Sequence, residues 1–156
     1  MKITMRIHAL CFILGIILSA TSIRAEEERL WQLHAVDIQA PYAPAPMANG
    51  CIGILPQKEP FAVEHVMLNH VFDAASPHIV SRVMRGINPF CLSMKIDNKK
   101  VDTSNISDWQ QTIDMRRAVH QTSFHTLEKA DVSYELCALR NLPYAGLIRV
   151  TVQACK

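Results

Sequence analysis

The sequence predicts an all-β protein, an antiparallel β-sandwich, on three observations. Short apolar runs alternate with polar residues at period two. Turn-forming residues punctuate them at regular intervals. Beyond the first 25 residues, no window long enough for a helix carries a helical apolar stripe. Many short strands with turns between them can bury a core only by stacking sheet on sheet or by closing into a barrel.

The N-terminus is read separately. Lys2 and Arg6 precede an apolar run from Ala9 to Ala20. Small residues around Ala25 follow, and then Glu26-Glu27-Glu28. This is the order of a secretory signal peptide with cleavage after Ala25, predicting a signal-peptide helix over residues 1–25, an exported chain and a mature domain over residues 26–156. The apolar run is shorter than the roughly 20 residues of a membrane-spanning helix, so no stable span is expected after cleavage. Cleavage removes Lys2, Arg6 and Arg24 from sixteen basic residues, leaving thirteen against fourteen acids. The mature chain is therefore close to neutral and has no basic stripe, which argues against nucleic acid as a partner.

Along the mature chain, Trp31 and Leu33 alternate with Gln32 and His34 and predict an opening strand. Pro41 to Pro46 is an extended connection. Asn49-Gly50 is a turn signal leading into an apolar strand, Ile52 to Leu55. Pro56 to Pro60 turns the chain into a β-branched run within Phe61 to Phe72. A further strand is expected over 79–84, before the turn at Gly86 to Pro89. Leu92, Met94 and Ile96 alternate with Ser93, Lys95 and Asp97 as in a half-buried strand, and Asp97 to Lys100 reads as a hairpin turn. Asn105 to Asp114 is polar and irregular and is expected to be a loop or short helical turn. Strands are expected over Ala118 to Phe124, Val132 to Ala138 and Leu147 to Val152.

Few residues suggest chemistry. Cys51, Cys91, Cys137 and Cys155 remain after processing. They are too widely spaced for a zinc site, and three disulfide connectivities stay open. The pairs His65/His70 and His120/His125 have odd spacing, which on a strand places the two rings on opposite faces and argues against chelation. No metal or other cofactor is expected. Asp37, Glu59, Asp73, Asp97 and Asp102 fall at strand ends or turns, where such residues serve structure, and no carboxylate pair is marked for glycoside cleavage. There is no nucleophile elbow or phosphate loop. Asn105-Ile106-Ser107 matches a glycosylation sequon. Trp109, Tyr42 and Tyr144 are candidates for stacking on a sugar ring, with core packing as the competing role and Trp109 as the candidate carbohydrate-binding residue.

Five segments in order carry a resemblance. They are Trp31-Gln32-Leu33-His34, the turn Ala48 to Gly53, the run Glu64 to Asp73, the motif Ile113-Asp114-Met115-Arg116-Arg117-Ala118, and Ala138 to Pro143 before the last strand. Together they resemble the N-terminal β-sandwich domain of glycoside hydrolase family 65, the maltose, kojibiose and trehalose phosphorylases and related α-glucoside hydrolases. No one segment is specific; the ordered set spans nearly all of the chain after residue 25. One departure is Ile54-Leu55-Pro56, where many members carry an Arg. The resemblance implies a sandwich of the galactose-mutarotase-like supersandwich type. It assigns structural roles to Asn49, Gly50, Gly53, Asp114, Met115 and Arg116. It places the catalytic groups in a following (α/α)6 barrel, whose partner is an α-linked glucose oligosaccharide.

The sequence ends at Lys156, before any such barrel. The expectation is therefore an incomplete sandwich with no catalytic residue of its own, the non-catalytic fragment of an exported hydrolase or phosphorylase. Its last strand would present an open edge inviting homo-oligomerisation or aggregation. The alternatives are a stand-alone exported carbohydrate-binding sandwich and a structural or interaction domain.

Overall fold

The computed structural model describes residues 29–73, 82–127 and 130–154. The signal-peptide expectation lies outside them. The chain divides at Leu33/His34 into an N-terminal unit and a body, His34–Lys156. The described part of the first unit, residues 29–33, turns through Leu30 and Trp31 and enters the first strand.

The strands are β1 (Gln32–Ala35), β2 (Met47–Ala48), β3 (Ile52–Pro56), β4 (Val63–Asp73), β5 (Arg82–Arg85), β6 (Lys95–Ile96), β7 (Lys99–Lys100), β8 (Ile106–Asp114), β9 (Val119–Thr126), β10 (Ala130–Ala138) and β11 (Gly146–Ala154). One sheet has the order β1-β8-β9-β10-β11, the second β2-β3-β4-β5, and β6-β7 is a separate hairpin. Strands β8 to β11 form an antiparallel meander, and β2 to β5 pair antiparallel as well. The body is thus β-sandwich-like, as the sequence predicts, and its described residues contain no helical element.

Period-two alternation explains the clearest strands. Along β10, every second residue from Ala130 to Ala138 is buried and the intervening ones are not. β9 buries His120, Thr122, Phe124 and Thr126 on the same side. Against this face packs the apolar side of β3 and β4, so that Ile52, Ile54, Val63 and Val66 meet Leu136, Ala138 and Phe90. A second cluster holds Phe61, Val101, Trp109, Phe124, Val132 and Tyr134. Each such side chain contributes about 1.5–3 kcal/mol by leaving water. Phe61 stacks on Tyr134 at 4.6 Å and meets Phe124 edge-on at 6.2 Å. Its backbone N–H donates to the Tyr134 hydroxyl at 3.1 Å. These contacts hold Phe61 at φ 61°, a left-handed conformation that a non-glycine residue adopts only when its surroundings impose it.

Two expectations are corrected. Asn105 to Asp114 is neither loop nor helical turn: Ile106–Asp114 is the nine-residue strand β8. A bulge between Ser107 and Gln110 interrupts its pairing with β9, so Ser107 and Asp108 both face outward and the period-two signal breaks. Further along, the inward residue Gln111 is polar but satisfied, its Nε2 donating to the Gln57 carbonyl at 2.9 Å. In the second case, the run Leu92 to Ile96 forms strand only at Lys95–Ile96. The residues just before it are tied by single backbone bonds instead, Leu92 N–H donating to the Phe61 carbonyl at 3.3 Å, while the turn upstream is held by Asn88, whose Nδ2 donates to the Val63 carbonyl at 2.7 Å and whose Oδ1 accepts from Phe90 N–H at 3.2 Å. The turn after it is as expected, with Asp97 and Asn98 both at positive φ, the geometry of a tight two-residue hairpin. Of the strand expected over 79–84, residues 82–84 lie in β5 and 79–81 are outside the described residues.

Candidate functional site

Among the described residues, a depression of about 360 Å³ lies on the outer face of the β8–β11 sheet, lined by Asp108, Gln110, Ser123, His125, Asp131 and Ser133 among others. The alternation that sends His120 into the core sends His125 out to this face, so the odd spacing places the two rings on opposite sides as read from the sequence. Register then sets Asp131 of β10 directly across from His125, and His125 Nδ1 bonds the Asp131 carboxylate. On the other side the β8 bulge brings Asp108, at φ 51°, outward, with Oδ2 4.0 Å from His125 Nε2. The result is one imidazole flanked by two carboxylates.

The arrangement is an exposed surface cluster rather than an acid–base pair. The Asp108 side chain is 75 % exposed, His125 53 % and Asp131 44 %. A glycoside-cleaving pair works from either side of a bound sugar; here the space between the carboxylates is filled by His125. Among the described residues no group of three or more His, Cys, Asp or Glu side chains is placed to hold a metal.

The aromatic candidates separate. Trp109 is 5 % exposed and lies in the core cluster with Phe61 and Phe124, so it offers no face to a sugar ring, and the surface-platform expectation gives way to core packing. Tyr42 packs against the same cluster, and burial, reinforced by nearby Tyr134, pushes its hydroxyl up to about 12. Burial likewise raises Tyr134. Only Tyr144 keeps an exposed ring; its hydroxyl donates to the Asn69 carbonyl at 3.0 Å.

The residues singled out by resemblance sit at turns and strand starts. Asn49 is the most heavily bonded. Its Oδ1 accepts from Cys51 N–H and Ile52 N–H, each at 2.9 Å. Its Nδ2 donates to the carbonyls of Leu139 at 2.7 Å and Leu142 at 3.2 Å. One side chain therefore closes the turn before β3 and ties it to the β10–β11 connection. Gly50, at φ 92°, supplies the left-handed step of that turn. Gly53 lies within β3, where an added Cβ would meet only an ordinary contact with Met67. Asp114 ends β8 and accepts from Arg117 N–H at 2.9 Å, closing the loop in which Met115 and Arg116 are exposed.

The acids expected at turns behave so where described. Asp37 accepts from Gln39 N–H at 2.8 Å. Asp102 accepts from the hydroxyl and N–H of Ser104, bonds that lower its carboxyl below the usual range. Asn105 of the sequon is engaged, donating to the Lys100 carbonyl at 2.6 Å. Cys51, Cys91 and Cys137 are free thiols, and Cys155 lies outside the described residues.

Sequence reasoning missed the Asp108–His125–Asp131 cluster, which exists only through cross-strand register and a bulge. It also missed Gly146, where a Cβ would come within 2.6 Å of the Phe90 ring and 2.7 Å of Ile54 Cδ1.

The fold is thus that of a β-sandwich-like protein whose described residues assemble no enclosed acid–base site, and its sequence relationships are with glycoside-cleaving enzymes. The chain is 29 % identical over 144 residues to a kojibiose hydrolase of Mucilaginibacter mallensis, covering 92 % of this chain and 21 % of that enzyme. It is 32 % identical over 110 residues to a kojibiose hydrolase of Flavobacterium johnsoniae, covering 70 % of this chain and 16 % of that enzyme. The chain thus spans about a fifth or less of the length of these relatives. No protein-family model matches it.

Proposed function

We propose that this chain is the N-terminal, non-catalytic β-sandwich part of an exported α-glucoside-acting enzyme of the glycoside hydrolase family 65 type. The observation that carries this reading is that a match over 92 % of the chain occupies only 21 % of a kojibiose hydrolase. The all-β body and the surface exposure of its Asp–His–Asp cluster support it. On this reading the sandwich buttresses a helical barrel that binds an α-linked glucose oligosaccharide and holds the acid and base. The barrel cleaves the glucosidic bond with inversion, and export favours water over phosphate as the attacking group.

Two measurements test it. The chain alone, incubated with kojibiose, nigerose, maltose and trehalose, should release no glucose; turnover would overturn the proposal. In the second, residues 26–156 replace the segment of the Mucilaginibacter mallensis enzyme that they match. The chimaera should fold and keep kojibiose hydrolysis within about tenfold of the parent, or about 1.4 kcal/mol in transition-state stabilisation. A folded chimaera without activity would count against the buttressing role.

A further inference from the structure

We propose that Asn49-Gly50 is a site of spontaneous deamidation that the fold holds in check, and that the modification, once made, removes the side chain joining the turn before β3 to the β10–β11 connection. The chemistry belongs to the dipeptide. Gly50 has no Cβ, and one built there would meet nothing within 4 Å, so its backbone nitrogen approaches the preceding side chain unhindered once the turn opens. Asn49 is half-buried and Gly50 exposed, which leaves both within reach of water.

The reaction balances with water as the one co-reactant. Gly50 N–H gives its proton to hydroxide, and the nitrogen attacks Asn49 Cγ. The N–Cγ bond forms, the Cγ–Nδ2 bond breaks, and Nδ2 leaves as ammonia after taking a proton from water. A second water opens the cyclic imide at either carbonyl and leaves an aspartyl or an isoaspartyl residue. Nothing is oxidised or reduced; an amide becomes an acid.

In the folded chain both reacting groups are held. Attack turns the planar Cγ tetrahedral and swings Nδ2 off its two acceptors, the Leu139 and Leu142 carbonyls at 2.7 and 3.2 Å. The glycine peptide is fixed from another side. Asn69 Nδ2 donates to the Gly50 carbonyl at 2.8 Å. Asn69 is itself placed by its N–H, which donates to the Cys51 carbonyl at 2.8 Å, and by the Tyr144 hydroxyl, which donates to its carbonyl at 3.0 Å. One effect runs the other way: Cys51 N–H and Ile52 N–H both donate to Asn49 Oδ1 and polarise Cγ toward attack. Loss of the two Nδ2 bonds outweighs it and slows the reaction by about tenfold or more relative to the open turn. The folded chain therefore deamidates through local opening.

The product does not restore the joint. A carboxylate only accepts hydrogen bonds, so it stands with lone pairs against the Leu139 and Leu142 carbonyls. The isoaspartyl form also adds a methylene to the backbone at the turn. Each opening of this turn thus exposes the chain to a change that reclosing does not reverse.

The test is peptide mapping by mass spectrometry on the 156-residue chain, held at mildly alkaline pH in buffer and in urea, with released ammonia assayed alongside. In urea Asn49 should convert faster than any other asparagine, and in buffer its rate should fall by about tenfold or more. Chain deamidated in urea and returned to buffer should unfold at a lower urea concentration than Gly50→Ala chain treated in parallel, which resists conversion, shows relative to its own untreated midpoint. Asn49→Asp, which carries the aspartyl product from the start, should have a lower midpoint than the parent or fail to fold. Equal rates in buffer and urea would overturn the proposal, as would an Asn49 that is not modified in urea. So would an Asn49→Asp chain with the parent's midpoint. Should Gly50→Ala fail to fold, untreated parent chain takes its place as the reference.

Discussion

Lowering the pH should destabilise this protein through one buried residue, His120. It is 1 % exposed, faces the core from β9, and its Nδ1 has no hydrogen-bond partner among the described residues. Burial lowers its pKa from 6.5 to about 4. The unfolded chain therefore takes up a proton near its ordinary pKa while the folded chain refuses it until about pH 4. Between those values the unfolded state binds more protons, so stability falls as pH falls. The loss begins near pH 6.5, reaches about 2 kcal/mol by about pH 5, and levels off near about 3 kcal/mol below the folded pKa. Urea unfolding followed by tryptophan fluorescence, with buried Trp109 as reporter, measures this at about pH 7.5 and about pH 5. His120→Leu provides the reference, since it keeps the other titrating groups and removes this one. The parent should lose about 2 kcal/mol more than His120→Leu over that interval. If the two lose stability in parallel, the buried neutral imidazole is not the cause and the reasoning fails; His120→Gln repeats the comparison should the leucine variant pack badly.

Asn49→Ala leaves two turn N–H groups and two carbonyls of the β10–β11 connection without their side-chain partner, and should cost about 2–4 kcal/mol in urea unfolding, against well under 1 kcal/mol for exposed Arg116→Ala. Gly146→Ala places a methyl inside contact distance of Phe90 and Ile54; overpacking of about 1–3 kcal/mol should appear as a lowered Tm. Trp109→Ala should cost about 3–5 kcal/mol through the cavity it leaves. In calorimetric titration with α-glucans, the parent should give no heat attributable to a Trp109 platform.

How much of this was legible depends on whether a strand obeys period two. β10 does so at every position, and β9 nearly so, which is why both were readable despite the inward His120 and Thr122. β8 was not, because its bulge places two outward residues in succession and Gln111 occupies a core position. The Asn49-Gly50 turn was visible as chemistry, but not the four bonds of Asn49, since two go to a segment about ninety residues away. The Asp108–His125–Asp131 cluster depends on three strands coming into register, and nothing local announces it. Trp109 could be assigned to surface or core only once β8 was known to be a strand.

The staple made by Asn49 has a consequence for the order in which the molecule can be completed. Its acceptors at Leu139 and Leu142 emerge long after the turn they lock, and Leu136 and Ala138, which cover Ile52, Ile54 and Val66, emerge only shortly before them. The first layer to be synthesised therefore waits, greasy side outward, until the chain has been made through Leu142. Such distant closure is slow, and during the delay the half-built protein is a natural client for any holdase that binds extended apolar segments.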